Sequence, residues 1–285
     1  MSGLSMKLSL FTVAVPDLTP DEVVEAVREA GIDGVEWRFA NVPAAMREEP
    51  PSFWRNNRCT LDPETPPEAL AELARRAREK GVESVAIVPY LEVGDLPAAE
   101  RAMAAAKAMG ARWIRAGVPR YDRTVAYHDL FEQAARYLAE VQEMARQYGI
   151  RALVETHHET IIPSASLAYR LVSRFDPEVV GVIFDPGNMV VEGYENYRLG
   201  LQLLGEYVAH VHVKNGYWER AQGAAETAWR CRWTPVDRGW VDWKQVIADL
   251  KSVGYDGYLG VEDFSGAMRS RDMMRHFADY FRSLL

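Results

Sequence analysis

Eight short runs rich in β-branched and aromatic residues alternate with longer amphipathic segments along the whole chain, and this narrows the possible folds most. The runs are Leu8–Val15, Gly34–Arg38, Ser84–Tyr90, Trp113–Val118, Ala152–His158, Val180–Asp185, Val208–Lys214 and Tyr258–Phe264. Helical periodicity falls on Pro20–Ala30, Pro67–Lys80, Pro97–Met109, Tyr127–Tyr148, Ser166–Arg174, Tyr197–Leu204, Trp243–Ser252 and Arg269–Leu284. A helix between successive strands returns the chain to the same edge, so the strands are expected to be parallel. Gly31, Gly81, Gly110, Gly149 and Gly254 each follow a helical stretch, where a left-handed residue ends a helix.

Eight such units either close into a barrel or spread into an open sheet. No GxGxxG phosphate turn supports the open nucleotide-binding form, and 285 residues suit a closed barrel of roughly 250 residues. The expectation is α/β, a single (β/α)8 TIM barrel forming one domain over residues 1–285, with long loops after strands 2 and 7. These loops, Phe39–Pro66 and Asn215–Val241, leave from strand ends, the side on which barrels build their sites. The second carries Tyr217, Trp218, Trp229, Trp233 and Trp240, too many aromatics for a free coil. It is read as a lid or as a contact between copies in a homo-oligomer.

Lys and Arg total 33 against 41 Asp and Glu, a net charge of −8 without a basic cluster, which argues against nucleic acid and anionic membrane as partners. The apolar opening is broken by Asp17, Thr19, Pro20 and Asp21 and is read as the first strand. Cys59 and Cys231 lack metal or disulfide spacing, so a cytoplasmic location is expected.

Acidic or imidazole residues end the strands in GVEWR, ALVETHHE, VIFDPGN, HVHVKN and GVEDF. A lone strand-end Glu ordinarily hydrogen-bonds a neighbouring loop. Several brought together without Arg or Lys partners repel one another, and a divalent cation resolves that conflict. Glu155, Asp185, His212 and Glu262 are the candidate metal ligands. Three carboxylates and one imidazole suit Mn2+ first, with Mg2+, Co2+ and Zn2+ sharing the same donors. His210 shares a strand face with His212 but lies deeper, as a packed or supporting residue. His157 faces the same side as Glu155, and His158 is expected to point away. Glu36, Arg38 and Lys214, with Tyr90 and Arg115, are further candidates at the mouth for binding substrate.

On VETHHET, FDPGN, HVHVKN and GWVDWKQVIADLKSVGYDGYLGVED, the chain resembles the xylose-isomerase-like sugar isomerase and epimerase barrels, which include ketose 3-epimerases, hydroxypyruvate isomerases and inosose dehydratases. The resemblance runs through nearly the whole chain and implies that Glu155, Asp185, His212 and Glu262 bind one divalent metal. Ketose 3-epimerases usually have a histidine and an arginine where this chain has Asn188 and Trp218; both are kept as substrate-binding candidates.

The implied chemistry is proton transfer by Glu155 and Glu262 beside a metal-stabilised enediolate of a sugar or keto-polyol, as in an isomerase or epimerase. Expelling a β-hydroxyl from the same intermediate makes a dehydratase the alternative, for an inosose or 3-keto sugar. A metal-dependent hydrolase of the endonuclease IV kind would need more ligands and a basic surface. A non-catalytic sugar-binding barrel would bind without exchanging protons.

Overall fold

A computed structural model describes residues 5–221 and 228–285. Seven barrel strands come first: β1 (Lys7–Phe11), β2 (Gly34–Phe39), β3 (Glu83–Pro89), β4 (Trp113–Arg115), β5 (Arg151–Glu155), β6 (Val180–Phe184) and β7 (Val208–Val213). After them β8 (Asn215–Arg220) and β9 (Trp229–Thr234) form an antiparallel hairpin, and β10 (Tyr258–Val261) completes the barrel. The closed order is β1-β10-β7-β6-β5-β4-β3-β2, and every barrel pair is parallel.

The outer layer is α1 (Pro20–Ala30), α2 (Pro67–Glu79), α3 (Leu96–Met109), α4 (Tyr127–Tyr148), α5 (Ala165–Val172), α6 (Pro186–Val191), α7 (Tyr197–Leu204), α8 (Trp243–Ser252) and α9 (Ser270–Leu284). Local chemistry sets their ends. Thr19 and Glu22 form a reciprocal capping box at α1, Pro20 occupies its first turn, and Gly31 ends it with φ of 67°. Along α4, Phe131, Ala134, Leu138, Val141 and Ala145 recur at helical spacing and are buried, so one apolar stripe packs on the barrel.

Several strands stop short of the runs read from the sequence. Thr12–Ala14 turn into a short 3-10 helix, β4 ends at Arg115 and β5 ends at Glu155. Apolar character persists into the rim because rim residues are still buried, so it does not mark where ladder pairing ends. The short helix α6 was not anticipated, although Asp185 followed by Pro186 is a cap-and-first-turn signal; Asp185 accepts from the Asn188 backbone N–H at 2.8 Å.

Barrel-strand side chains alternate inward and outward. The inward set includes Trp113, Leu153, Ile183 and Tyr258, which pack in the barrel lumen, and two positions further along these strands bring Arg115, Glu155, Asp185 and Gly260. Gly260 is a required gap in this layer. A Cβ there would lie 1.9 Å from Glu36 Oε1 and 2.8 Å from His210 Nε2.

The excursion after β7 is closed at its base by Asn215. Its Nδ2 donates to the carbonyls of Val236 and Val241, each at 3.0 Å, and its Oδ1 accepts from the Val241 N–H at 2.9 Å. Residues 222–227, within the segment read as a lid or subunit contact, lie outside the described residues. No helix among the described residues is long and apolar enough to cross a membrane.

Gly260→Ala is expected to cost about 1–3 kcal/mol by overpacking, read as a lowered unfolding midpoint. An unchanged midpoint would show that the layer holds spare volume.

Candidate metal centre and its cavity

Glu155 ends β5, Asp185 caps α6, His212 lies in β7 and Glu262 follows β10. One ligand atom from each lies within 4.8 Å of the others, and all four residues are buried. His212 directs Nδ1 at the acids: 3.0 Å to Glu155 Oε1, 3.2 Å to Glu262 Oε1 and 4.0 Å to Asp185 Oδ2. Three carboxylates and an imidazole nitrogen converging away from bulk water are a donor set that fits a divalent cation.

On the other edge of the His212 ring, Nε2 lies 2.9 Å from Glu36 Oε2. Glu36 is wholly buried beneath the mouth, where its Oε1 accepts from Ser9 Oγ at 2.7 Å and lies 3.0 Å from His210 Nε2. The structure therefore places Glu36 behind a candidate ligand, away from the cavity lining. His210 packs against Trp113, with ring centroids 4.7 Å apart.

Arg115 and Lys214 supply cations that the repulsion argument left out. Arg115 Nη1 donates to Glu155 Oε2 at 2.7 Å. Lys214 is 3% exposed; its Nζ lies 3.0 Å from Asp185 Oδ2 and also donates to Glu262 Oε1. Repulsion among the acids is thus relieved in part by the chain itself, and the case for a cation rests on the convergence of donors.

These contacts govern the titration of the cluster. Burial raises the Glu262 pKa, but Lys214 and His212 outweigh it and bring it down to about 2. Burial likewise opposes ionisation of Glu155, and His212 and Arg115 hold it well below the usual range. Asp185 is pushed upward, first by burial and then by Glu262 and Glu155, against the pull of Lys214. At His212 burial favours the neutral ring, and the surrounding Glu262, Glu155 and Glu36 reverse that preference.

Above the cluster opens a cavity of about 800 Å³. Arg115, Glu155, His157, Asn188, Lys214 and Glu262 line its polar end, while Trp54, Tyr90, Trp233 and Phe264 line it with aromatic rings. The rim joins the two long loops: Trp54 and Phe264 have centroids 5.1 Å apart, and Trp233 lies 6.4 Å from Phe264. Trp54 lies in the first long loop and Trp233 in the second, and no sequence spacing assigns them to one rim.

His157 lines the cavity, and so does His158, which strand alternation had turned away. Alternation does not apply there because β5 ends at Glu155; the two rings stack 4.4 Å apart. Arg38 is buried, donates to Thr60 Oγ1 and packs 5.3 Å from the Tyr90 ring. Asn188 Nδ2 donates to Asp185 Oδ2 at 3.0 Å and to Glu155 Oε1 at 3.2 Å, and its buried Oδ1 has no hydrogen-bond partner among the described residues. Trp218 is absent from the cavity lining and donates to the Val190 carbonyl at 2.8 Å, tying β8 to α6.

His212→Ala and Asp185→Ala are expected to lose bound metal while circular dichroism shows an intact barrel. Glu36→Gln should weaken metal binding about 10–100-fold by loosening the His212 ring. His210→Ala should weaken it less than His212→Ala. Full occupancy in both alanine variants of the candidate ligands would exclude this centre.

The model of the xylose isomerase-like TIM barrel family matches residues 24–284. An inosose dehydratase from Lacticaseibacillus casei is 24% identical over 141 residues, covering 47% of each protein; the chain spans about half the length of the curated relatives it matches. The crystal structure of the IOLI protein with a bound zinc atom aligns over 98% of both chains at TM-score 0.72 and 15% identity. D-psicose 3-epimerase from Clostridium cellulolyticum H10, solved with D-tagatose, aligns over 98% of this chain and 99% of its own at TM-score 0.70 and 18% identity. The structural likenesses show the shared fold, and the family match over most of the barrel shows that this chain belongs to the xylose isomerase-like TIM barrel family.

Proposed function

We propose that this protein is a divalent-metal-dependent enzyme that moves a carbon-bound proton beside the carbonyl of a sugar or keto-polyol, as sugar isomerases and epimerases do. The observation that carries the reading is the convergence of Glu155, Asp185, Glu262 and His212 Nδ1, two of which, Glu155 and Glu262, line the polar end of a cavity walled with aromatic rings. A bound divalent cation supplies Lewis-acid polarisation of the carbonyl; Mn2+ is the first choice for this oxygen-rich set, with Mg2+, Co2+ and Zn2+ as chemical alternatives.

The residues of the chain provide the rest. Glu155 and Glu262 are the two carboxylates of the set that line the cavity, and proton transfer falls to this pair. His157 Nδ1 lies 2.8 Å from the His158 carbonyl, so a neutral ring donates there and turns an acceptor Nε2 to other partners. Asn188 Nδ2 donates to Glu155 Oε1 and Asp185 Oδ2 and so fixes two of the candidate ligands. Lys214 holds Asp185 and Glu262 in place. On the cavity side of His212, three carboxylates against Arg115 and Lys214 leave one negative charge, which favours a bound cation.

Loss of water from an inosose or 3-keto sugar is the second reading, supported by Asn188 in place of the epimerase histidine and by the inosose dehydratase among the relatives.

Metal-loaded protein incubated with ketoses and inososes in deuterium oxide should place deuterium on the carbon next to the carbonyl. Full turnover without solvent label would favour a hydride shift and defeat the proton-transfer reading.

A further inference from the structure

The two glutamates of the candidate centre differ in what their second oxygens face. In Glu155, Oε1 lies 3.0 Å from His212 Nδ1 and accepts from Asn188 Nδ2 at 3.2 Å, while Oε2 accepts from Arg115 Nη1 at 2.7 Å. Arg115 is itself held: its side chain is 14% exposed and its guanidinium lies 4.9 Å from the Tyr90 ring and 5.8 Å from the Phe11 ring. In Glu262, Oε1 carries the Lys214 ammonium and lies 3.2 Å from His212 Nδ1, facing the cluster. Among the described residues no donor reaches Glu262 Oε2, and Glu262 lines the cavity.

A carboxylate oxygen that exchanges a proton with substrate must present a lone pair to it. Glu155 Oε2 instead faces a guanidinium, which has no acceptor and does not give up its proton. We infer that Arg115 is a positioning residue that pins Glu155 as a fixed ligand, leaving Glu262 as the only carboxylate that moves protons, so that the reaction runs on one face of the substrate. This rests on the proton-transfer reading above and selects among its outcomes.

Epimerisation by two carboxylates takes a proton from one face and delivers another to the opposite face. With Glu262 alone, Oε2 takes the proton from the carbon beside the carbonyl. The C–H electron pair enters the C–C bond, and the carbonyl π pair moves onto oxygen. The same carboxyl then returns the proton on the same face. Return to the former carbonyl carbon, with the neighbouring hydroxyl proton passing to the former carbonyl oxygen, is isomerisation. Return to a β-hydroxyl, whose C–O bond breaks with its electron pair as the carbonyl re-forms, releases water. Neither route requires an oxidant, a reductant or a second base.

The test follows fructose and an inosose by NMR in deuterium oxide with metal-loaded protein. Recovered substrate should carry deuterium in its original configuration, with isomerised or dehydrated product and no epimer at the labelled carbon. Glu262→Gln, with metal content measured, should lose exchange by about 10²–10⁴-fold. Arg115→Met releases Glu155 Oε2 and should add inverted, deuterated substrate to the mixture, whereas Arg115→Lys should retain the original configuration. A merely structural arginine would change rates without changing configuration. Deuterated epimer from the unaltered protein overturns the one-face inference and leaves the proton-transfer reading intact. No exchange with either compound in metal-loaded protein overturns both. The unaltered protein decides the question even if Arg115→Met does not fold.

Discussion

The contact between His212 Nε2 and Glu36, 2.9 Å long and wholly buried, sets the direction of the site above it. An imidazole that donates through Nε2 keeps its lone pair on Nδ1, the edge that faces Glu155, Asp185 and Glu262. Glu36 is fixed in turn by Ser9 and His210, and the absence of a side chain at Gly260 makes room for it. Barrel packing and the geometry of the candidate centre are therefore one problem: the layer that fills the lumen also orients the ring.

Burying this many charges is costly unless each is compensated, and breaking a buried pair typically costs about 3–5 kcal/mol. Compensation here is distributed. Histidines surround Glu36, Arg115 faces Glu155, and Lys214 spans Asp185 and Glu262. The distribution is uneven, and that unevenness has a chemical consequence. An oxygen committed to a guanidinium orients, whereas an oxygen open to the cavity is free to exchange a proton. Two residues of the same type thereby acquire different roles from the strands beside them.

The barrel and its four-residue cluster were legible because both follow from periodicity: strand and helix alternate along the chain, and each hydrophobic strand delivers a polar residue to the same rim. Interactions that join strands distant in sequence were not legible. Glu36 looked like a rim acid because it ends an apolar run, but β2 continues to Phe39 and leaves it inside the wall. Lys214 reads as a mouth residue for substrate because it shares a face with His212, and the structure sets it between Asp185 and Glu262, the acids that follow β6 and β10. Trp218 and Trp233 share the hairpin; the first ties β8 to α6 and the second faces the cavity, a difference set by antiparallel register rather than local composition.

The most direct test is the position of the metal in a crystal of loaded protein, located by anomalous scattering at the absorption edge of the ion. One peak at roughly 2.0–2.3 Å from His212 Nδ1 and from an oxygen each of Glu155, Asp185 and Glu262 is the expected result. A second buried group, Glu36 with His210 and His212, also has ligand atoms within 4.8 Å of one another and lies on the opposite edge of the same ring. A peak there, on Nε2, would contradict the account, because Glu36 would then be a ligand and the cavity-facing carboxylates would have lost their cation.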